Sequence, residues 1–388
     1  MMHSSLLRSD ETLFRDPEVF ELTYLPDHLH HRDAQIRELA FLLQSALRGA
    51  SAGSAVLRGP PGTGKTTTVR HLFAAITEET KRVVPVYVNC RHDHTPLAVY
   101  RSIFAQVCGC PAPSAGRYLG EIKQGIAARL HGENAALIVC LDDADELIPA
   151  GTYNPLLYQL LRLYEKWDVR KAGVFAVTSD LALNLYAEAD PSVRSVFHPT
   201  EVNFLPYMKA EIHGILTDRV RQGLYPGVVP KAVLDQIAGI AAAEQDIRVG
   251  IDLLRGAVRR AEKDGRRRVG PEDVTAASRA IIAPSLLNRA AELSAGERAF
   301  ACWIAERSRD GADMASGAVF EAVQEYLPVG KTTYHERLNA LAKTGIIDLV
   351  PGSGRGRDVR LRFDAADVFA ACNVRTKPAK TRTEPEIP

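Results

Sequence analysis

Gly59-Pro60-Pro61-Gly62-Thr63-Gly64-Lys65-Thr66 lies inside the longer run SAVLRGPPGTGKTTTVRHLFAAI, residues 54–76. The octapeptide satisfies GxxxxGK[ST] at every fixed position. The apolar stretch Ala55-Val56-Leu57 precedes it and a segment with helical apolar spacing follows, which is the strand–loop–helix context that gives the motif its meaning. Glycines let successive N–H groups close around phosphate oxygens with no Cβ in the way. A helix starting near Lys65 aims its positive end at the same anion. Lys65 neutralises terminal phosphate charge, and the Thr66 hydroxyl is a hard oxygen ligand for Mg²⁺. Gly62, Thr63, Gly64, Lys65, Thr66 and Thr67 are therefore the expected contacts to ATP or ADP.

A second strand must supply an acid beside that metal. LIVCLDDADE, residues 137–146, fits: an apolar run ends in Asp142, Asp143 and Asp145. Carboxylates are costly to bury unless paired or bound to a cation. Asp142 is the expected metal partner, Asp143 stands where a hydrolytic base would be, and Asp145 reads as a helix N-terminal charge. RVVPVYVNCR (82–91) and AGVFAVTSD (172–180) read as further buried strands. At the end of the latter, Thr178 and Ser179 either orient water near the γ-phosphate or simply cap a turn. Strands alternating with helices predict an α/β fold with a parallel sheet and ligands at the strand carboxyl ends.

From residue 201 the strands are expected to stop. Helical apolar spacing runs through 204–224, 231–243 and 246–265, with Gly265 as a stop, and Pro271 opens another helix. Residues 201–283 thus read as a helical lid following a 1–200 α/β core, the order typical of the AAA+ class. Arg248 is expected to reach the phosphates. Arg266, Arg267 and Arg268 read as a solvated loop.

Hydrophobic residues make up 46% of the 388, charged residues 24%, and the net charge is +1. No window approaches the ~18 consecutive apolar residues of a membrane span, and MMHSSLLRSDETLFRD lacks the apolar core of a signal peptide. The expected location is the cytoplasm, at the nucleoid, with no membrane partner. Six cysteines, with Cys108 and Cys110 as a lone CxC, read as reduced structural thiols. Bulk charge does not advertise nucleic-acid binding, so that claim must rest on local patches.

Such a patch lies near the C-terminus. Ser294-x-x-Glu297 is a capping-box signature that opens a helix, a second helix follows Ser316, and Thr333-x-x-Glu336 reads as another capping box. Tyr334, Leu338 and Leu341 fall on one face, and Gly345 ends that helix. IIDLV and VRLRF then bracket PGSGRGRD. Three helices and a hairpin predict a winged helix-turn-helix over residues 284–373, its third helix suited to a major groove. Residues 331–362 hold seven Lys/Arg and three Asp/Glu. Lys331, Thr332, Thr333 and Arg337 on the helix, with Arg355 and Arg357 on the wing, are the expected contacts to double-stranded DNA. Residues 374–388 read as a disordered tail.

Several segments together resemble the archaeal origin-recognition and cell-division-control type replication initiators. LTYLPDHLHHRDAQIRELAFLL (22–43) is similar to that family's opening P-x-x-L-x-x-R element, which places Pro26 at the adenine pocket. FLPY followed by ILTDR matches its lid segment, implying nucleotide contacts from Tyr207 and Arg219. QDIRVGIDLLRGA matches the segment carrying its sensor arginine, Arg248. The resemblance implies an AAA+ module with a lid and winged helix. It also implies binding to replication origins, self-association on DNA and a replicative helicase as downstream partner. The chain departs from the family pattern at three places. Asp143 replaces a glutamate, Ser179 replaces a sensor asparagine, and in DPSVRSVF (190–197) Ser192 stands where a trans-acting arginine is expected, with Arg194 two residues away. These departures predict slow hydrolysis, with ATP acting as a conformational clamp. The rival readings are a branch-migration type DNA motor, a nucleotide-sensing transcription regulator, and a winged helix that binds protein rather than DNA.

Overall fold

The chain divides into two units, Met1–Ile251 and Asp252–Pro388. The structure, a computed structural model, describes residues 12–112, 119–326, 330–351 and 357–373. The first unit runs α1 (Asp33–Leu47), β1 (Ala55–Arg58), α2 (Lys65–Glu79), β2 (Val83–Asn89), α3 (Pro96–Cys108), α4 (Leu119–Glu133), β3 (Ala136–Asp142), α5 (Tyr153–Leu161), α6 (Leu163–Lys166), β4 (Gly173–Thr178), α7 (Pro191–Arg194), β5 (Thr200–Asn203), α8 (Lys209–Gly223) and α9 (Lys231–Glu244). α10 (Ile247–Lys263) begins in it and ends in the second unit.

Five parallel strands form one sheet in the order β2-β3-β4-β1-β5. β3 is buried along its whole length. Leu137, Val139 and Leu141 pack into one core, and Ala136, Ile138 and Cys140 into another on the opposite face. That two-sided burial is why the segment reads as a continuous apolar run rather than an alternating one. It delivers Asp142 to the carboxyl edge, two strands away from the loop that follows β1.

β5 corrects the expectation that strands stop at residue 201. Thr200–Asn203 pairs in parallel with β1 along its length. It is an edge strand of polar composition in which only Val202 is buried, too short and too exposed to show a period.

The second unit continues with α11 (Pro271–Glu292), α12 (Ala295–Arg309), α13 (Ser316–Tyr326), α14 (Lys331–Lys343), β6 (Ile347–Pro351), β7 (Arg357–Leu361) and α15 (Ala365–Asn373). Pro271 occupies the first turn of α11, as the missing N–H of proline favours. Arg266, expected to be solvated, instead donates from both terminal nitrogens to the buried Asp273 at 2.6 Å each, and the Gly270 N–H donates to the same carboxylate at 2.9 Å. The Arg266 bonds come first among the causes that hold the Asp273 carboxyl below its usual range.

α11 crosses residue 283 without a break, where a joint between lid and winged helix was expected. Leu286, Ala290 and Leu293 at its C-terminal end are part of the same core as Phe300, Ile304 and Tyr334. Ser294 and Glu297 make both halves of the capping box. The second predicted box does not form: Gly330 is the N-cap of α14 and Thr333 lies inside the helix. Tyr334, Leu338 and Leu341 are buried as expected. β6 and β7 pair antiparallel, and α15, which the sequence did not signal, packs against α12. Among the described residues no helix is long and apolar enough to cross a membrane.

Candidate functional site

The site begins where β1 meets its loop. An ideal Cβ on Gly59 would lie 2.2 Å from the Phe204 carbonyl oxygen, so the close approach of the chain just after β5 requires glycine there. Gly62 and Gly64 hold φ of +71° and +85°, values that L side chains rarely adopt. Thr63 Oγ1 donates to the Pro60 carbonyl at 2.8 Å and closes the loop on itself. α2 starts at Lys65. The Lys65 ammonium donates to the carbonyls of Gly59 and Pro60 at 2.7 and 2.9 Å. Burial pushes its pKa down to about 8, against the opposing pull of Asp142 and Asp143.

Asp142 is buried. Its Oδ2 accepts from the Thr66 hydroxyl at 2.7 Å and from the Tyr87 hydroxyl at 2.6 Å. Two hard oxygen groups side by side are a donor set suited to Mg²⁺. Asp143 has a left-handed backbone, φ 52°. Its carboxylate pairs with Arg91 at 2.8 Å, and burial and the neighbouring Asp142 raise its pKa. Ser179 follows β4 and faces the same cleft. Thr178 Oγ1 accepts from the Asp180 N–H at 3.1 Å, which is the turn-cap reading.

The opposite wall comes from the N-terminal segment and α8. Pro26 lines it, and Tyr207 is buried with its hydroxyl alongside Gly64. Arg219 lines it too, its guanidinium 4.4 Å from the Tyr24 ring and donating to the Val19 carbonyl. Arg248 Nε donates to both oxygens of Asp246, at 2.9 and 3.0 Å. Asp246 in turn packs directly on Gly62. All thirteen nucleotide-side candidates, from Pro26 to Arg248 and including Thr67, line one cleft of about 540 Å³.

Sequence reasoning missed four neighbours. Arg32 is 5% exposed, donates to the carbonyls of Thr63 and Leu205 at 3.0 and 2.7 Å, and stacks 3.8 Å above the Tyr207 ring. It is the arginine of the P-x-x-L-x-x-R element, so the signal was present. Arg91 ends the VNCR stretch, and Asp246 stands two residues before Arg248. Tyr87 had no signal beyond its place on a strand. Arg194, weighed as a substitute trans arginine, donates to the Ala187 carbonyl at 2.6 Å and does not line the cleft.

In the second unit Lys331, Thr332 and Thr333 are exposed on the first turn of α14, and Arg357 is exposed at the start of β7. Arg337 is half-buried, its guanidinium packed over Gly296 of α12 instead of beside that exposed turn. Arg360 is exposed, whereas Arg362 is bound to Asp348 at 2.8 and 2.7 Å. Arg355 and the tail at 374–388 lie outside the described residues.

A phosphate loop after β1, an acid at the end of β3, sheet order β2-β3-β4-β1-β5 and helices after β5 define a nucleotide-binding ATPase of the AAA+ class. Residues 28–170 match the AAA ATPase domain, and residues 213–279 match the Cdc6 AAA+ ATPase-type lid domain. The chain is 40% identical over 369 residues to ORC1-type DNA replication protein 3 of Haloarcula marismortui, covering 94% of this chain and 97% of that relative. It belongs to the family of ORC1-type DNA replication proteins. Among solved structures, Aeropyrum pernix ORC2 in its ADPNP-ADP complexes is similar with a TM-score of 0.69 and 26% identity, covering 93% of this chain and 97% of that one. A. pernix ORC1 in complex with DNA is similar with a TM-score of 0.62 and 29% identity, covering 92% and 96%.

Proposed function

We propose that the protein is an ATP-regulated initiator that binds double-stranded DNA at replication origins and helps start chromosomal replication. The observation that carries this reading is the meeting of Thr66 and Asp142, 2.7 Å apart, in a cleft that also holds Lys65, Ser179 and Arg248. Magnesium bound with the nucleotide would be held by Thr66 and Asp142 and would offset phosphate charge. Lys65 and the loop N–H groups bind the phosphates, Arg248 answers them from the lid, and Pro26, Tyr207 and Arg219 flank the nucleoside. The complexes solved for A. pernix ORC1 with DNA and ORC2 with nucleotides support both halves of the reading. In this reading the core extends through β5 to residue 203, the lid follows it to about residue 283, and residues 284–373 form the winged helix. The replicative helicase is the downstream partner, the protein self-associates on DNA, and it works in the cytoplasm at the nucleoid.

Hydrolysis is slow. The Asp143 side chain is one C–C bond, about 1.5 Å, shorter than glutamate, and its carboxylate is drawn to Arg91. A displacement of ~1 Å costs about 10²-fold, and a missing arginine finger about 10³–10⁵-fold. Multiple-turnover ATP hydrolysis is expected well below about 1 s⁻¹, under the ordinary enzyme range. Sustained turnover above that rejects the clamp role.

Lys331, Thr332 and Thr333 form the exposed entry to the DNA, with Arg357 at the start of β7 as a further contact; Arg355 is a proposed contact on the sequence alone. Phosphate contacts make log K fall linearly with log salt, by about 0.9 per contact. The double variant Lys331→Ala/Arg357→Ala is expected to weaken binding to a labelled origin duplex and to reduce that slope by about two. Anisotropy titrations between 50 and 200 mM salt read it, with a promoter duplex of equal length as comparison. An unchanged slope, or equal affinity for promoter and origin, contradicts the assignment.

A further inference from the structure

Tyr87 sits on β2, the edge strand, and Asp142 on its neighbour β3. The parallel register sets Tyr87 opposite Cys140 and Asn89 opposite Asp142. Residues two apart on a strand share a face, so Tyr87 stands diagonally across from the acid. Its hydroxyl donates to Asp142 Oδ2, the same oxygen that accepts from Thr66. Among the described residues both side-chain bonds to this carboxylate arrive at Oδ2. A carboxylate held by two donors on one oxygen cannot turn about its Cβ–Cγ bond without breaking both.

Tyr87 is itself fixed. Gln106 of α3 accepts from the Tyr87 backbone N–H at 3.0 Å and donates to its carbonyl at 2.8 Å. One amide side chain thus satisfies the outward polar groups of an edge strand at the residue whose side chain grips the acid. The chain of contacts runs Gln106, Tyr87, Asp142, Thr66.

We propose that Tyr87 is a positioning residue for the divalent metal that accompanies the nucleotide. Its hydroxyl orients the Asp142 carboxylate and so sets how little Mg²⁺ suffices to secure the nucleotide. The inference rests on the nucleotide reading given above. Groups that orient metal-binding carboxylates typically contribute about 10–100-fold in metal affinity.

The test is Tyr87→Phe, which keeps the ring and its packing and removes only the hydroxyl. Fluorescent ADP is titrated onto wild type and variant in EDTA, and the Mg²⁺ dependence of its affinity is then measured for both. The expected result is a Mg²⁺ midpoint raised about 10–100-fold, with ADP affinity in EDTA unchanged. An unchanged midpoint overturns the proposal. So does an equal loss of affinity with and without Mg²⁺, which would mark a structural role. Wild type that binds ADP with no response to Mg²⁺ would instead overturn the metal reading beneath it.

Discussion

Lys65→Ala is expected to lower the affinity for ADP and ATP by roughly 10- to 10²-fold. A hydrogen bond to a charged group is worth about 1.5–3 kcal/mol, and the Lys65 ammonium is a buried cation in the phosphate cleft. Its two present bonds go to carbonyls of its own loop, so the substitution also loosens the curl of Gly59 and Pro60. The pH dependence gives an independent signature. Burial lowers the Lys65 pKa to about 8, and a bound phosphate favours the charged form and raises it again. ADP affinity measured without divalent metal should therefore be flat between pH 7 and 8. Above that it should fall, by up to tenfold per unit, because binding must then take up a proton. Lys65→Arg stays charged throughout and should bind with no such fall. Wild-type affinity that stays level from pH 7.5 to 9.5 would mean that burial does not lower the Lys65 pKa, and a Lys65→Ala protein with wild-type affinity would remove Lys65 from the phosphate site.

The second large effect is expected at Gly59→Ala. The added methyl would lie 2.2 Å from the Phe204 carbonyl oxygen and 2.8 Å from the Phe204 Cβ. Both obstacles are chain near the end of β5 rather than the tip of a flexible side chain, so β1 or β5 must move by about an ångström. Overpacking of this kind costs about 1–3 kcal/mol, and the phosphate loop moves with β1. Thermal melting should show the loss, and nucleotide affinity should fall at least tenfold. Gly132→Ala in α4 is the contrast. Nothing lies within 4 Å of its added methyl, and alanine is the better helix former, so its melting temperature should hold or rise. A Gly59→Ala protein with wild-type melting and affinity would mean that the β1–β5 contact does not constrain the loop.

What the sequence revealed and what it hid divide along the range of the interactions. β3 was legible because burial on both faces leaves a continuous apolar run, and the phosphate loop because every contact it makes to itself is local. β5 was not, since a polar edge strand of four residues with one buried position has no period. Arg32 closes the P-x-x-L-x-x-R element, yet its partners Thr63 and Leu205 lie 31 and 173 positions away. Spacing alone cannot announce bonds of that kind. Thr333-x-x-Glu336 had the right letters for a cap, but Gly330, already extended at φ −62° and ψ 154°, starts the helix three residues earlier. Arg337 looked like an edge residue on an isolated helix, and its position was decided by a second helix packing beside it. The joint expected after residue 283 does not form, because Leu286, Ala290 and Leu293 carry α11 on into the next core.

That unbroken α11 has a mechanical corollary. Twenty-two residues at 1.5 Å each make a strut about 33 Å long. Its base is clamped by the Arg266–Asp273 pair, and its far end is embedded among the side chains that carry α14. Tilting such a crank by about 5° at Gly270 sweeps its tip through about 3 Å, nearly the rise of one base-pair step. A small rotation at the base would thus be magnified into a displacement of the core that carries α14.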